Sequence, residues 1–377
     1  MQKLIEIKKD ETILVSSHVE SFLKSDFVYI PIHKGEQILV HPNDKVQIGD
    51  EILKSKEEKV FSPVSGIVRK AVKYHSLKAV DYYLEIENDF EERRKRENQH
   101  KNKIFKEDII SYFEGILDKK NIVLNAIDDD VYVLTENFYL FLHYEEFLEL
   151  LDLLEQLLDF ESVYVCVKAR SSENINKLMS DLGMYPNIIL KVVPDLYLLG
   201  NSSFLCSYLD LKEEETLVIK AQHFYYAYNY LIRGRTRSDI LLTISGNAVE
   251  KPIVVQVKIG TLLEDVLREF SVLTEKDVCY FANGLMRGRE ITPDFFVITE
   301  ELNSVLIMKK VSPHIMQKCI NCGLCYELCP VGIHPYYLRD PKYLEKVRKK
   351  CINCGLCSYI CPVYMPFYQY LRGDKDE

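Results

Sequence analysis

No two glycines are adjacent anywhere in these 377 residues, and no Gly-x-Gly occurs. The whole chain holds only 15 Gly. Glycine is what lets backbone N–H groups approach a phosphate closely, so the P-loop and the GxGxxG fingerprint are both excluded. No run of about 18 apolar residues is present, which excludes a membrane-spanning helix. The opening stretch MQKLIEIKKDETILV lacks the uninterrupted apolar segment and small-residue cleavage site of a secretory signal. A basic excess is missing too: 48 Lys and Arg face 57 Asp and Glu, for a net charge of -9. An acidic chain argues against nucleic acid as a partner, because phosphate binding needs a basic stripe. Together these absences lead to the expectation of a cytoplasmic protein that reaches a membrane only through partners.

Cysteine is unevenly spread. Of 11 Cys, eight fall between residues 319 and 361, in two copies of one design, CINCGLCYELCP and CINCGLCSYICP. Each copy reads C-x2-C-x2-C-x3-C-P. Three closely spaced thiolates can wrap three corners of an iron–sulfur cubane, and the fourth cysteine, ahead of the proline, leads to the other cluster. The spacing therefore predicts one [4Fe–4S] cluster on Cys319, Cys322, Cys325 and Cys361. A second is predicted on Cys351, Cys354, Cys357 and Cys329. Gly323 and Gly355 lie in the ligand loops, where a side chain would crowd the cluster sulfides. Ile320 and Ile352 are placed to shield the clusters from water, which tunes potential. Structural zinc uses separated cysteine pairs, and a disulfide framework conflicts with a cytosolic setting, so neither fits as well. The isolated Cys166, Cys206 and Cys279 read as small core hydrophobes. Between the repeats, PKYLEKVRKK is basic; a solvated helix face is favoured over a docking site for an acidic redox partner.

The length predicts two to four domains. Residues 28–88 alternate short β-branched runs with turn signals such as Ser62-Pro63-Val64-Ser65-Gly66. The pattern looks like the barrel-sandwich fold of lipoyl and biotinyl carriers. Lys54, Lys56 and Lys59 lie in the right region for a carrier lysine, but none has a DKA or MKM context, so a docking or structural module is expected. FEERRKRENQHKNK reads as a solvated linker. From 104 to 232, strand patterns (NIVLNA, SVYVCVKA, IILKVV, TLVIKA) alternate with helix patterns, which implies a parallel sheet flanked by helices. YEEFLELLDLLEQLLDF carries the apolar i, i+3, i+4, i+7 spacing; SSENINKLMSDLG has a Ser start and a Gly183 stop. Asp128–Asp130 are expected in a solvated turn rather than on a metal. Residues 239–310 return to β character around one helix, LLEDVLREF, with Gly260-Thr261 expected to cap it. This pattern fits a β-grasp unit.

Set in order, these stretches resemble the C subunit of the Rnf electron-transport complex, a relative of the NADH-binding flavoprotein subunit of respiratory complex I. The resemblance rests on HPNDKVQIGDEIL, SPVSGIV, TISGNAVEKPIVVQVKIGTLLEDVL, NGLMRG and the paired CINCGLC motifs. It implies a multidomain α+β chain: a barrel-sandwich domain at 1–90, a charged linker at 91–103, a degenerate flavin/NADH-type α/β domain at 104–235, a β-grasp domain at 236–310, and a dicluster ferredoxin-like domain at 311–377. It also implies a peripheral protein on the cytoplasmic face of a membrane, passing electrons from NADH through flavin mononucleotide (FMN) and two [4Fe–4S] clusters to membrane partners. Two departures stand out. The family's glycine-rich flavin loop is missing, and the stretch matching its paired-glutamate motif reads NAIDDDVY, Asn125 to Tyr132. NADH releases two electrons as a hydride, whereas an iron–sulfur cluster takes one, and a flavin normally mediates. The expectation is therefore an FMN-free relay of single electrons between a ferredoxin or flavoprotein and Rnf-like membrane subunits, with no catalytic residue. The alternatives are an NADH-linked oxidoreductase with an atypical FMN site and a partner-binding scaffold.

Overall fold

The structure is a computed structural model; it describes residues 19–56, 59–75, 80–95, 103–168, 172–183, 185–270, 277–310 and 318–367. The N-terminal signal reading falls outside these residues.

The first module holds a four-stranded sheet, ordered Phe27–Ile32, Val80–Asn88, Gly66–His75, Lys45–Val46, and a three-stranded sheet of Gln37–Ile38, Glu51–Lys54 and Lys59–Phe61. Alternation along each strand sends Val28, Ile30, Val68, Leu84 and Ile86 inward. The antiparallel register sets Val28 opposite Ile86 and Ile30 opposite Leu84, so these side chains meet on one face. Gly66 has a steric reason: a Cβ there would lie 1.9 Å from the carbonyl oxygen of Glu87. Lys59 Nζ pairs with Glu51 at 2.8 Å across the short hairpin.

Two features depart from the expected modular division. Strand Val19–Phe22 does not join this first module. It runs parallel to Ile253–Lys258 and forms one edge of a six-stranded sheet. The start of the charged stretch is not a solvated linker either. Arg94 bridges to Ile48 and Lys95 N donates to the Ile48 carbonyl. Glu92 accepts from the ammonium of Lys258 at 2.8 Å, a lysine only 1% exposed. The stretch is anchored because burying an ammonium requires an ionic partner, and Glu92 supplies it. Residues 96–102 lie outside the described residues.

Residues 121–220 form a four-stranded, wholly parallel sheet in the order Ile188–Val193, Ser162–Lys168, Asn121–Asn125, Thr216–Lys220. Helix Tyr144–Leu157 packs on it through Phe147, Leu150, Leu151 and Leu154, all buried. Each such leucine contributes about 1.5–3 kcal/mol by leaving water. Glu145 and Glu146 occupy its first turn, where carboxylates favour the helix dipole. Helix Ser172–Leu182 stops before Gly183.

The six-stranded sheet runs Val19–Phe22, Ile253–Lys258, Asp239–Ser245, Ser304–Lys309, Val278–Ala282, Arg289–Ile291. Its helix is Leu263–Glu269, and here the expected cap fails. Leu262 holds the N-cap position without a side-chain bond, and the Thr261 hydroxyl is buried without a partner. Gly260 (φ +91°) serves another contact: its carbonyl accepts from Tyr29 N at 2.8 Å and ties this sheet to the first module.

The C-terminal segment contains short helices Leu324–Leu328, Pro341–Arg348 and Leu356–Tyr359 and a 3-10 turn at Pro335–Arg339. Asp340 caps Pro341–Arg348 by accepting from Lys342 N at 2.9 Å. Among the described residues no helix is long and apolar enough to cross a membrane.

Candidate metal centre

Both C-I-N-C-G-L-C loops use the same backbone device. Asn321 and Gly323 in the first, and Asn353 and Gly355 in the second, all have left-handed φ, between +52° and +80°. Asn and Gly are the residues that adopt this region most readily, and alternating them curls each loop back on itself. A short helix then starts at Leu324 or Leu356 and sets the third cysteine one turn ahead of the fourth.

The curl produces two cavities. One is lined by Cys319, Cys322 and Cys325 together with Cys361 from the other repeat. The other is lined by Cys351, Cys354 and Cys357 together with Cys329. Among the described residues no three His, Cys, Asp or Glu side chains converge as a single metal ion would require. Four sulfurs distributed around a cavity instead suit a polynuclear group with one thiolate at each iron corner. Burial pushes the Cys354 thiol up to about 11 and the Cys357 thiol to about 12, so iron charge beside them would be needed to hold them as thiolates.

The two cavities have different surroundings. Ile320 lines the first and is 59% exposed, so it gives little shielding. Ile352 lines the second and packs with Val131, Tyr197, Met286 and Leu356. The Tyr197 hydroxyl donates to the Cys354 carbonyl at 2.6 Å. A Cβ on Gly355 would lie 2.1 Å from the Met286 carbonyl oxygen. The second cysteine loop is thus pressed against the body of the protein.

Asp130 builds that platform, which overturns the reading of Asp128–Asp130 as a solvated turn. Its carboxylate accepts from the backbone N–H groups of Leu285, Met286 and Arg287, at 2.7–3.1 Å. Burial pushes its carboxyl above the ordinary range while these donors pull against the shift. Asp128 is buried and accepts from Glu136 N. Asp129 pairs with Lys220 at 2.8 Å. The sequence reading missed this use because acidic runs usually face water. The available signal was Asn283-Gly284-Leu285-Met286-Arg287-Gly288, a loop rich in N–H groups that needs an acceptor.

The carboxyl ends of the parallel strands, where open α/β sheets usually bind ligands, are packed with the chain's own groups. Lys220 Nζ donates to the carbonyls of Ile127 and Gly200 as well as to Asp129. Asn125 Nδ2 also donates to the Gly200 carbonyl, and Lys168 pairs with Asp195 at 3.0 Å. A Cβ on Gly200 would lie 2.5 Å from the Asp128 carbonyl oxygen. Glu136 is buried behind this layer and accepts from Gln222 N; burial pushes its carboxyl up to about 7. An ammonium bonded to two carbonyls and a carboxylate has all three of its protons engaged, leaving none for a further anion.

Cys166 and Cys206 are buried among apolar side chains, and Cys279 is half-buried, its thiol 3.6 Å from the Met308 carbonyl. None of the three joins either cavity lining.

Residues 318–365 match the family described as the 4Fe-4S dicluster domain. The C subunit of the ion-translocating oxidoreductase complex of Serratia proteamaculans is 25% identical over 237 residues, 59% of this chain and 34% of the relative. The chain is similar to the C subunits of ion-translocating oxidoreductase complexes. The Haemophilus influenzae relative of the same name is 24% identical over 58% of this chain and 28% of its own length. For the Rhodobacter capsulatus relative the values are 22%, 59% and 45%. The chain therefore spans about a third of the length of the first such relatives it matches. A solved structure of an NAD+-reducing [NiFe]-hydrogenase in the air-oxidised state aligns with a TM-score of 0.41 and 13% identity, over 54% of this chain and 42% of that one. The chain is a mixed α/β protein with a C-terminal 4Fe-4S dicluster domain.

Proposed function

We propose that this chain, similar to the C subunit of an Rnf complex, relays single electrons through two [4Fe–4S] clusters and does so without a flavin. Cys319, Cys322, Cys325 and Cys361 would hold one cluster, and Cys351, Cys354, Cys357 and Cys329 the other. The observation that carries the reading is that each cavity is lined by three cysteines of one repeat and the fourth of its partner. When bound, such clusters accept and release one electron at a time. The protein's contribution is positional. The Asn and Gly turns aim backbone toward each cavity, and Tyr197 and Met286 fix the second loop against the body. Lys220 and Asp129 close the sheet edge where a hydride-handling cofactor would otherwise lie.

The preceding modules read as a barrel-sandwich domain, a degenerate flavin/NADH-type α/β domain and a β-grasp domain, serving as partner-binding frame. The partners proposed are redox proteins, a ferredoxin or flavoprotein on one side and Rnf-like membrane subunits on the other. The proposed location is the cytoplasmic face of the membrane.

The test is iron, acid-labile sulfide and released flavin per chain on anaerobically prepared protein, with EPR before and after dithionite. Two reducible four-iron clusters and no flavin are expected. Stoichiometric flavin with NADH-dependent dye reduction would replace this reading with the NADH-linked oxidoreductase. Full clusters that no low-potential donor reduces would favour the scaffold.

A further inference from the structure

We propose that the outer face of the dicluster segment is a docking surface for an acidic single-electron carrier protein, met at the Cys319–Cys322 side. The inference rests on the relay reading and names its partner. The two cavities differ in how exposed their rims are. The second is backed by Tyr197, Met286 and Leu356, all buried. The first is rimmed by exposed Cys322, by Ile320 and by Leu324.

An aromatic row leads away from that rim. His334 and Tyr336 line the first cavity; Tyr326 stacks on His334 at 5.4 Å. His334 lies 5.2 Å from Tyr337, and Tyr337 lies 5.5 Å from Tyr343 on helix Pro341–Arg348. The same helix turns Leu344 and Val347 onto an apolar cluster that includes Cys325 and Cys361. Rim, tyrosines and helix are therefore one continuous surface beside the first cavity.

Its charge opposes that of the rest of the chain. Residues 318–367 hold seven Lys or Arg against three Asp or Glu, a net of +4 within a chain of net -9. Lys318, Lys342, Lys346, Arg348, Lys349 and Lys350 are all exposed. The acidic residues are Glu327, Asp340 and Glu345; Asp340 caps the helix and Glu345 pairs with Lys349 at 3.2 Å. Exposed apolar and tyrosine side chains beside a basic face suit a small, transient, salt-sensitive encounter with a protein of opposite sign. The negative remainder of the chain would turn such a carrier toward this end and away from the others.

The experiment titrates cluster-loaded full-length protein with a fluorescently labelled, acidic plant-type [2Fe–2S] ferredoxin, at about 50 and about 300 mM salt. Binding at low salt should weaken by about tenfold at high salt, and by about tenfold in Lys342→Glu/Lys346→Glu/Lys350→Glu. The control reversal Lys34→Glu/Lys251→Glu should bind like wild type, and cluster content should be unchanged in both variants. No binding at low salt overturns the proposal, as does binding indifferent to the triple reversal. Sedimentation with phosphatidylglycerol vesicles that the triple reversal abolishes, without ferredoxin binding, also overturns it and gives the basic helix to a lipid surface. Dithionite reduction followed by EPR separates the two levels. Reducible clusters without docking defeat this inference alone, whereas clusters that stay unreduced defeat the relay and this inference with it.

Discussion

The hydroxyl of Tyr197 donates to the carbonyl of Cys354 at 2.6 Å, joining the parallel-sheet module to the second cysteine loop. Tyr197 is buried, so Tyr197→Phe leaves that carbonyl short of a donor and should lower stability by about 1–2 kcal/mol. Denaturant unfolding measures the loss. The EPR signal of the Cys329-containing site should shift, while that of the Cys361-containing site stays as in wild type.

The two loop glycines should respond differently. A Cβ on Gly323 meets no protein atom within 4 Å, so against the protein itself Gly323→Ala carries the left-handed strain of φ +80°, about 1 kcal/mol. Gly355→Ala adds a 2.1 Å approach to the Met286 carbonyl, a backbone atom that cannot swing aside. The expected outcome is loss of the second cluster and easier proteolysis of the C-terminal segment in Gly355→Ala alone.

Asp130→Ala removes the acceptor for four backbone N–H groups, those of Val131, Leu285, Met286 and Arg287. Leaving them buried and unpaired should destabilise the protein by about 3–5 kcal/mol. Asp130→Asn keeps one oxygen and should recover part of that loss. Thermal unfolding of the two variants side by side checks the order.

Glu136 links stability to pH. Its carboxyl is pushed up to about 7 from an ordinary 4.5, first by burial, with Asp128 and Asp129 adding to it and Lys220 opposing. The folded protein therefore keeps a proton that the unfolded chain releases above pH 4.5. Stability should fall as pH rises from 4.5, with the full penalty present above pH 7. Glu136→Gln retains an oxygen for the Gln222 N–H and removes this titration. Between about pH 4.5 and 7.5 the variant should gain about 2–3 kcal/mol relative to wild type.

Cys361→Ala and Cys329→Ala test the crossed ligation. Cys361→Ala should deplete the cluster of Cys319, Cys322 and Cys325, and Cys329→Ala that of Cys351, Cys354 and Cys357. Iron counts with EPR decide it: loss of the cluster in the mutated cysteine's own repeat would reverse the assignment.

Local pattern made much of the architecture readable. The strand and helix periods of residues 121–231 are strong because each element buries one face, and the parallel sheet follows from their alternation. The 4Fe-4S dicluster domain was readable because three closely placed cysteines restrict the possible metal groups severely. Long-range placement was not readable. Nothing in Val19–Phe22 states that its partner is Ile253–Lys258, since a four-residue strand fits either sheet. Asp128–Asp130 looked solvated because an acidic run carries no mark of the N–H loop that will enclose Asp130. Thr261 looked like a helix cap from composition, yet its hydroxyl is buried without a hydrogen-bond partner.

The pairing of Val19–Phe22 with Ile253–Lys258 also orders the protein's assembly. During synthesis the strand emerges long before its partner exists and must wait, unpaired, while the intervening parallel sheet forms. The loop carrying Met286 appears later still, and the cysteines last. Iron–sulfur insertion, if it precedes docking, meets a flexible tail; if it follows, it meets a loop already gripped by Tyr197 and Met286. The second site thus depends more heavily on the completed body for its shape than the first, which touches it through Leu328, so a fault in biogenesis upstream should empty the inner site first.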